Sequence, residues 1–290
     1  MQYSLVIGGR TREVTLQRQG AGWRVTVDGE SERVDLAIQW VGGHRTETRL
    51  ARPVAKLSQL SYYADLLARA RALRSEGRSY SDIAAELKKH KLTQALFNLP
   101  PGDGSKGERG LAALPGREAE FAAALEKALD YAQVLECRTL HVMSGMIAPG
   151  ADTKAMHRTF VSNLKKVCDR TAKSGITIVL EPINHRDIPG YFTNTTDQVK
   201  AIIDEVGAPH LRLQLDLYHL QVTEGDLQKR MERLFPITSH VQIAGNPDRN
   251  EPDIGEVNHL YLLDVLDRLG YDGYVGLEYK PKTTRSEERR

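Results

Sequence analysis

The sequence predicts an α/β fold, in which about six βα units form a (β/α)-barrel-like domain after a small antiparallel β module and a helical pair. From Lys91 onward, short apolar runs alternate with amphipathic stretches in a repeated strand, loop, helix order. Several of these runs, most clearly ITIVLEP, are apolar at consecutive positions, as a parallel strand covered on both faces requires. The opening residues instead alternate polar and apolar positions between Gly-containing turns, which is typical of antiparallel strands.

Residues 1–57 are predicted to be the small antiparallel β module. The predicted strands are residues 3–7, 13–17, 23–27 and 34–40. Asp28-Gly29 lies between two of them and favours a hairpin, because both turn positions tolerate positive φ.

Residues 58–90 are predicted to be a helical connector of two helices joined by a turn at Gly77. Apolar residues recur there near a 3.6-residue period, and Ser81-Asp82 is a capping signal for the second helix. The stretch RALRSEGRSYSDIAAEL resembles helix-turn-helix segments of DNA recombinases. The favoured interpretation is a solvated basic face on a helix that packs against the sheet, because short helical pairs recur widely.

Residues 91–282 are predicted to be the barrel domain, followed by a charged tail at 283–290. The predicted strands are residues 94–99, 139–143, 176–181, 211–216, 240–243 and 274–278, and the clearest helices are 118–135 and 156–172. This order fits a barrel or an open doubly wound sheet. No Gly-rich phosphate fingerprint follows any strand, which disfavours a dinucleotide-binding sheet.

The composition is that of an ordinary globular protein. Of 290 residues, 40% are hydrophobic and 27% are charged, and the net charge of +2 gives no general reason to bind nucleic acid or an anionic membrane. Cys137 and Cys168 have neither the number of a disulfide framework nor the spacing of a zinc site, so both are expected to be reduced. With no secretory or membrane segment recognised, a cytoplasmic location is expected.

Four polar residues lie at or near the carboxyl ends of successive predicted strands: Glu181, Asp216, Gln242 and Glu278. In a (β/α) barrel this is the catalytic face, where neighbouring strands direct such side chains to one point. Buried acids among apolar residues are costly unless they share a cation or a proton. Three carboxylates and one amide oxygen suit a hard divalent ion, Mg²⁺ or Mn²⁺, better than zinc.

Several stretches resemble the hydroxypyruvate isomerase family, which includes the 2-oxo-tetronate isomerases. They are ALFNLPPGDGSKGERGLAALPGREAEF, LEPINHRDIPGYFTNTTDQ, LQLDLYHLQ, HVQIAGNPDRNEPDIGEVN and LDRLGYDGYVGLEY, and the resemblance covers residues 80–282. It implies a xylose isomerase-like TIM barrel that interconverts hydroxypyruvate and 2-hydroxy-3-oxopropanoate, or a 2-oxo-tetronate. It also implies that Glu181 and Glu278 are the proton donor and acceptor pair, and that both bind the metal with Asp216 and Gln242.

Other polar residues near these strand ends are candidates for substrate binding. Asn184 and His185 follow Glu181, and His219 lies one helical step after Asp216. Arg249 is expected to bind the substrate carboxylate, since a guanidinium matches that group with two parallel hydrogen bonds, and Glu251 lies on the same loop. For Arg249 a solvated loop position, and for His219 a backbone-satisfied position, are the competing interpretations.

Three other functions compete with this prediction. A sugar 3-epimerase of the same superfamily commonly has His where this chain has Gln242, and an apurinic endonuclease of the related class needs a His-rich multi-zinc cluster. The third is a catalytically inactive truncated barrel with the helix-turn-helix-like segment, because two further βα units of the family are absent from the pattern. Six parallel strands cannot close as eight do, so the barrel is expected to be open, patched by the N-terminal module, or completed by another chain in a homo-oligomer.

Overall fold

In this computed structural model, the described residues are 2–7, 10–19, 22–27, 30–34, 80–89, 92–280 and 282. The chain divides into two compact units, Met1–Leu50 and Ala51–Arg290. The predicted limits of the β module, the connector and the barrel domain stay predictions.

The first unit contains one antiparallel sheet. Its strands are β1 (Gln2–Ile7), β2 (Arg10–Gln19), β3 (Gly22–Val27) and β4 (Glu30–Val34), paired in chain order. Val27 pairs with Glu30, so only residues 28–29 connect these strands, as expected of an Asp-Gly hairpin. The strand predicted at 34–40 overlaps β4 only at Val34, because β4 begins at Glu30, where the polar run ESER has no apolar alternation to indicate it. Residues 35–40 lie outside the described residues.

The second unit contains a sheet of six parallel strands that curls into a half-barrel. Its elements, in chain order, are α1 (Tyr80–Lys89), β5 (Phe97–Asn98), α2 (Glu118–Val134), β6 (Thr139–His141), α3 (Thr153–Thr171), β7 (Thr177–Leu180), α4 (Thr196–Val206), β8 (Leu211–Asp216), α5 (Leu217–Thr223), α6 (Leu227–Leu234), β9 (Thr238–Ile243), α7 (His259–Leu269) and β10 (Val275–Leu277). The strand order is β10-β9-β8-β7-β6-β5, and every described pairing is parallel. The predicted barrel-type α/β fold is therefore confirmed.

Most predicted elements are present with small shifts at their ends. The helices predicted at 118–135 and 156–172 are α2 and α3, and the strand predicted at 211–216 is β8. The strand predicted at 94–99 is reduced to Phe97–Asn98, because only these two residues pair with β6. The second helix of the connector is α1, whereas its first helix, and with it most of the helix-turn-helix-like segment, lies outside the described residues.

Strand β8 shows how the sheet separates its core from its site. Leu211, Leu213 and Leu215 are buried in the hydrophobic core, while Gln214 and Asp216 alternate with them and face the other side of the sheet. The parallel sheet thus packs helices on one face and gathers polar side chains on the other. No helix in the described segments is long and apolar enough to cross a bilayer.

Candidate active site

The carboxyl ends of four neighbouring strands bring the predicted ligands to one edge of the sheet. Glu181 follows β7, Asp216 ends β8, Gln242 lies in β9 and Glu278 follows β10. Asp216 is the register partner of Gln242, which places β8 and β9 level with each other there. Glu181, Asp216 and Gln242 are buried, whereas the side chain of Glu278 is 56% exposed at the rim. The predicted convergence at the carboxyl edge is therefore present in the fold.

Two neighbouring groups of side chains form this site. Glu181, Asp216 and His219 each place one potential metal-ligating atom within 4.8 Å of the others. Beside them, Gln242 Nε2 donates a hydrogen bond of 3.0 Å to Glu278 Oε2. The arrangement can hold a divalent cation between buried carboxylates.

Two of the buried carboxylate oxygens fit a cation better than they fit the surrounding protein. Glu181 Oε1 and Asp216 Oδ2 are buried and have no hydrogen-bond partner within the described part of the chain. Burial raises the pKa of Glu181 well above its ordinary value, and the neighbouring Glu278 and Asp216 charges raise it further. Burial also raises the pKa of Asp216, although Arg249 and the backbone N–H groups of the following turn oppose that shift. A divalent cation would remove this penalty, so the donor set fits the metal that the family implies.

Asp216 also starts the helix that follows its strand. Its Oδ1 accepts a hydrogen bond of 2.8 Å from the backbone N–H of Tyr218, which caps the N-terminus of α5. The other oxygen, Oδ2, remains directed to the site, 3.8 Å from His219 Nε2. One carboxylate therefore fixes the strand-to-helix turn with one oxygen and offers the other for chemistry.

The hydrogen bonds of His219 determine which ring nitrogen carries the proton. Its Nδ1 accepts from the backbone N–H of Asn184 at 3.2 Å and from Asn184 Nδ2 at 2.6 Å. Burial lowers the pKa of His219 to about 4, so the neutral ring must carry its proton on Nε2. That N–H points to the side of Asp216, which makes His219 a hydrogen-bond donor within the site.

Arg249 reaches the same carboxylates from the loop after β9. Its Nη2 lies 3.2 Å from Glu278 Oε2 and 3.9 Å from Asp216 Oδ2, and its Nη1 lies 3.4 Å from Asp187 Oδ2. The guanidinium carbon is 5.1 Å from the centre of the Tyr218 ring, a cation–π contact. The Arg249 side chain is only 13% exposed, so the interpretation as a solvated loop arginine is disfavoured.

Comparison with known proteins agrees with this geometry. The family model described as xylose isomerase-like TIM barrel matches residues 59–290. The 2-oxo-tetronate isomerase of Cupriavidus necator is 48% identical over 202 residues, which are 70% of this chain and 78% of the relative. The hydroxypyruvate isomerase of Escherichia coli is 42% identical over 198 residues, 68% of this chain and 77% of the relative. This chain belongs to the hydroxypyruvate isomerase family.

A solved structure supports the same family fold. A crystal structure described as AP endonuclease, family 2, from Brucella melitensis has a TM-score of 0.70 and 48% identity, and covers 72% of this chain and 80% of its own. The resemblance predicted from the sequence motifs is thus confirmed, and the chain is a homologue of hydroxypyruvate and 2-oxo-tetronate isomerases. The name of the Brucella structure corresponds to the apurinic endonuclease, one of the alternative functions considered from the sequence.

Two residues predicted to bind substrate have contacts that do not link them to the carboxylates. His185 is exposed on the loop after β7, although its neighbour Asn184 is fully buried against His219. Both carboxylate oxygens of Glu251 lie 3.3 Å from the backbone nitrogen of Lys282, which joins the loop after β9 to the segment after β10. Substrate roles for His185 and Glu251 stay predictions.

Three further polar residues of this hydroxypyruvate isomerase family member lie next to the site but were not predicted from the sequence. His141 Nδ1 lies 3.0 Å from Asn98 Oδ1 and 3.8 Å from Glu181 Oε2, and Gln214 Nε2 donates to Gln242 Oε1. Asn98, His141 and Gln214 each occupy a strand position on the polar face of the sheet. Alternation within the strand, as in LQLD, was therefore the sequence signal that could have indicated them. They extend the polar cluster across all six strands.

Proposed function

We propose that this chain isomerises a small hydroxy-oxo acid, either hydroxypyruvate to 2-hydroxy-3-oxopropanoate or a 2-oxo-tetronate, in the cytoplasm and with Mg²⁺ or Mn²⁺. The buried Glu181 carboxylate carries the proposal, since one of its oxygens has no protein partner and its pKa is raised by burial. A carboxyl group whose pKa is raised by burial can both accept and return a carbon-bound proton.

Glu181 and Glu278 are the proposed proton carriers. One removes the proton from C3 of hydroxypyruvate, and the other delivers a proton to C2, while the hydroxyl proton moves from the C3 oxygen to the C2 oxygen. The two carboxylates come from β7 and β10, on either side of the strands that carry Asp216 and Gln242. Substrate lying between them meets one carboxylate on each side.

Glu181, Asp216, Gln242 and Glu278 are the proposed ligands of the divalent ion. The bound ion would stabilise the negative charge that develops on the substrate oxygens. His219 is excluded from this proposed set because its Nε2 carries a proton in the neutral ring, so it donates a hydrogen bond to a substrate oxygen instead. Arg249 binds the substrate carboxylate, and Asn184 holds His219 in its tautomer.

The 3-epimerase and endonuclease alternatives are less well supported. Arg249 places a buried cation at the carboxylates, which suits an acid substrate better than a neutral ketose. Among the described residues, the group of potential ligands that lies together contains one histidine, not a His-rich cluster. The near-neutral charge of the chain also gives no general attraction to DNA.

A substrate panel tests the proposal. The Mn²⁺-loaded protein is given hydroxypyruvate, a 2-oxo-tetronate and a neutral ketohexose, and products are identified by NMR. We expect conversion of at least one acid, a loss of roughly a hundredfold or more in Glu181→Gln, and normal rates in Glu205→Gln, which changes an exposed carboxylate paired with His157. Epimerisation of the ketohexose with both acids unchanged would favour the epimerase, and no conversion of any substrate would favour the inactive barrel.

A further inference from the structure

Gln214 lies one step deeper in the sheet than the proposed ligands and is hydrogen-bonded to one of them, Gln242. It is two residues before Asp216 on β8, so its side chain leaves the same face of the sheet. Gln214 Nε2 donates a hydrogen bond to Gln242 Oε1 on β9.

The polarity of these hydrogen bonds is fixed from the carboxylate end. Gln242 Nε2 donates to Glu278 Oε2 at 3.0 Å, the polarity that a carboxylate acceptor requires. Gln242 Oε1 then faces Gln214, and only the amide nitrogen of Gln214 can satisfy it.

The backbone of β10 at Gly276 lies close against the far side of Gln242. A Cβ atom at Gly276 on β10 would lie 3.1 Å from Gln242 Cγ and 3.3 Å from His240 Nε2. Gln242 therefore fills the space that a side chain on β10 would take, and its amide is held between Gln214 and Glu278. Gln214 itself is 2% exposed, so water does not compete for this bond.

We propose that Gln214 is a positioning residue, which holds the Gln242 amide with its oxygen inward and its nitrogen on Glu278. The role rests on the proposed function, because the Gln242 oxygen matters as a proposed metal ligand. In this role Gln214 acts through Gln242. If its amide is removed, Gln242 can rotate about its last side-chain bond and present nitrogen, which is not a ligand, where oxygen is needed.

The first test reads the Gln242 amide directly in the metal-free protein. Side-chain ¹H–¹⁵N spectra are recorded for the wild type and Gln214→Met, and the Gln242 signals are assigned as the pair missing in Gln242→Glu. We expect two distinct, exchange-protected protons in the wild type, and shifted or exchange-broadened signals in Gln214→Met. Unchanged Gln242 signals in folded Gln214→Met would overturn the proposal.

Two further variants separate this role from a general loss of packing. Gln198→Met removes another partly buried amide, which donates to the carbonyl of Phe192, and should leave the Gln242 signals unchanged. Gln214→Glu keeps the shape but replaces the donor by an acceptor, so the Gln242 amide should turn and lose its bond to Glu278. It serves in place of Gln214→Met if that variant does not fold.

The second test measures Mn²⁺ affinity by calorimetry. Gln214→Met should weaken binding by roughly ten- to a hundredfold, the size of effect reported for partners that orient metal ligands. In a Gln242→Ala background the same change should have an effect below about threefold, because the residue through which Gln214 acts is gone. An equal loss in both backgrounds would overturn the proposal. If the wild type binds Mn²⁺ but isomerises none of the substrates, only the proposed function is refuted. If the wild type binds no Mn²⁺, the amide spectra alone decide whether Gln214 positions Gln242.

Discussion

Arg249 is held at the carboxylates by contacts on several sides. The Tyr218 ring lies below its guanidinium, Asp187 pairs with Nη1, and Nε donates to the backbone carbonyl of Glu278 at 3.2 Å. Its backbone has φ of 60°, a conformation that a residue other than Gly adopts only at some expense. A strained backbone and a buried guanidinium at one position suit a residue that must be in place before substrate arrives.

Replacing Arg249 by Met should therefore raise KM for hydroxypyruvate by roughly ten- to a hundredfold. The reason is that hydrogen bonds to a charged group contribute about 1.5–3 kcal/mol, and each 1.4 kcal/mol is about tenfold in affinity. Steady-state kinetics with saturating Mn²⁺ measure it. Arg186→Met is the matched control, because Arg186 also lies over the Tyr218 ring but donates to the carbonyl of Pro247. Equal KM values for wild type and Arg249→Met would contradict the assigned role.

Metal binding should depend on pH because of the two buried acids. Burial raises the pKa of Glu181 and Asp216 in the metal-free protein, to about 6 for Asp216, so both hold protons at pH values where exposed acids are ionised. A cation binds the ionised form, so binding releases protons below the raised pKa values, and the apparent affinity rises with pH until it passes them.

Calorimetry of Mn²⁺ binding in buffers of different ionisation enthalpy checks this expectation. We expect weaker binding with more protons released at about pH 6 than at about pH 8. The double variant Asp216→Ala, Glu278→Ala should lose most of the binding at both pH values. Unaltered affinity in that variant would show that the ion binds elsewhere, and an affinity independent of pH would contradict the role of the buried acids.

At the scale of elements, β8 joins the core to the site. The side chain of Leu213 is fully buried among the helices, and the following Gln214 and Asp216 point to the opposite face. The positions of Gln214 and Asp216 therefore depend on the packing of the leucines that alternate with them in β8. A cavity on the core face is therefore expected to lower the stability of the fold and, as a consequence, to allow Gln214 and Asp216 to move.

Leu213→Ala should lower the free energy of unfolding by about 2–5 kcal/mol, since it leaves a cavity in a closely packed core. Leu260→Ala is the matched control, because that leucine is 65% exposed on α7 and its truncation should change stability by less than about 0.5 kcal/mol. Denaturant titration followed by far-ultraviolet circular dichroism gives both values. Equal destabilisation by the two variants would mean that β8 is not the packed centre described here.

At the scale of the whole molecule, the sequence predicted the elements that have clear local patterns. Strand β8 was predicted at its observed bounds, because three leucines alternate with polar residues and a terminal acid follows. The start of β4 was missed and the length of β5 was overestimated, because pairing with a neighbouring strand, not composition, sets their extent. Whether the half-barrel stays open, is patched by the N-terminal module or is completed by a second chain remains a prediction.

The sequence predicted those site residues that lie at or near the ends of strands. Glu181, Asp216, Gln242 and Glu278 were found because acids and amides at those positions share one edge of a parallel sheet. Gln214 was not found, because its contacts depend on the register between β8 and β9, which shifts at Leu213/Gln214. The alternation in LQLD places Gln214 on the polar face of the sheet, but only the packed sheet shows which group its amide contacts.

The proposed isomerisation requires Glu181 and Glu278 to carry protons between two carbons of the substrate. Solvent deuterium incorporation into hydroxypyruvate tests it most directly, with wild type, Glu181→Gln and Glu278→Gln compared at saturating Mn²⁺ and folding checked by circular dichroism. Gln keeps the volume and one oxygen but cannot move a proton, so both variants should lose exchange by roughly a hundredfold or more while wild type exchanges readily. If both folded variants exchange deuterium at the wild-type rate, the two glutamates are not the proton carriers and the claim is wrong.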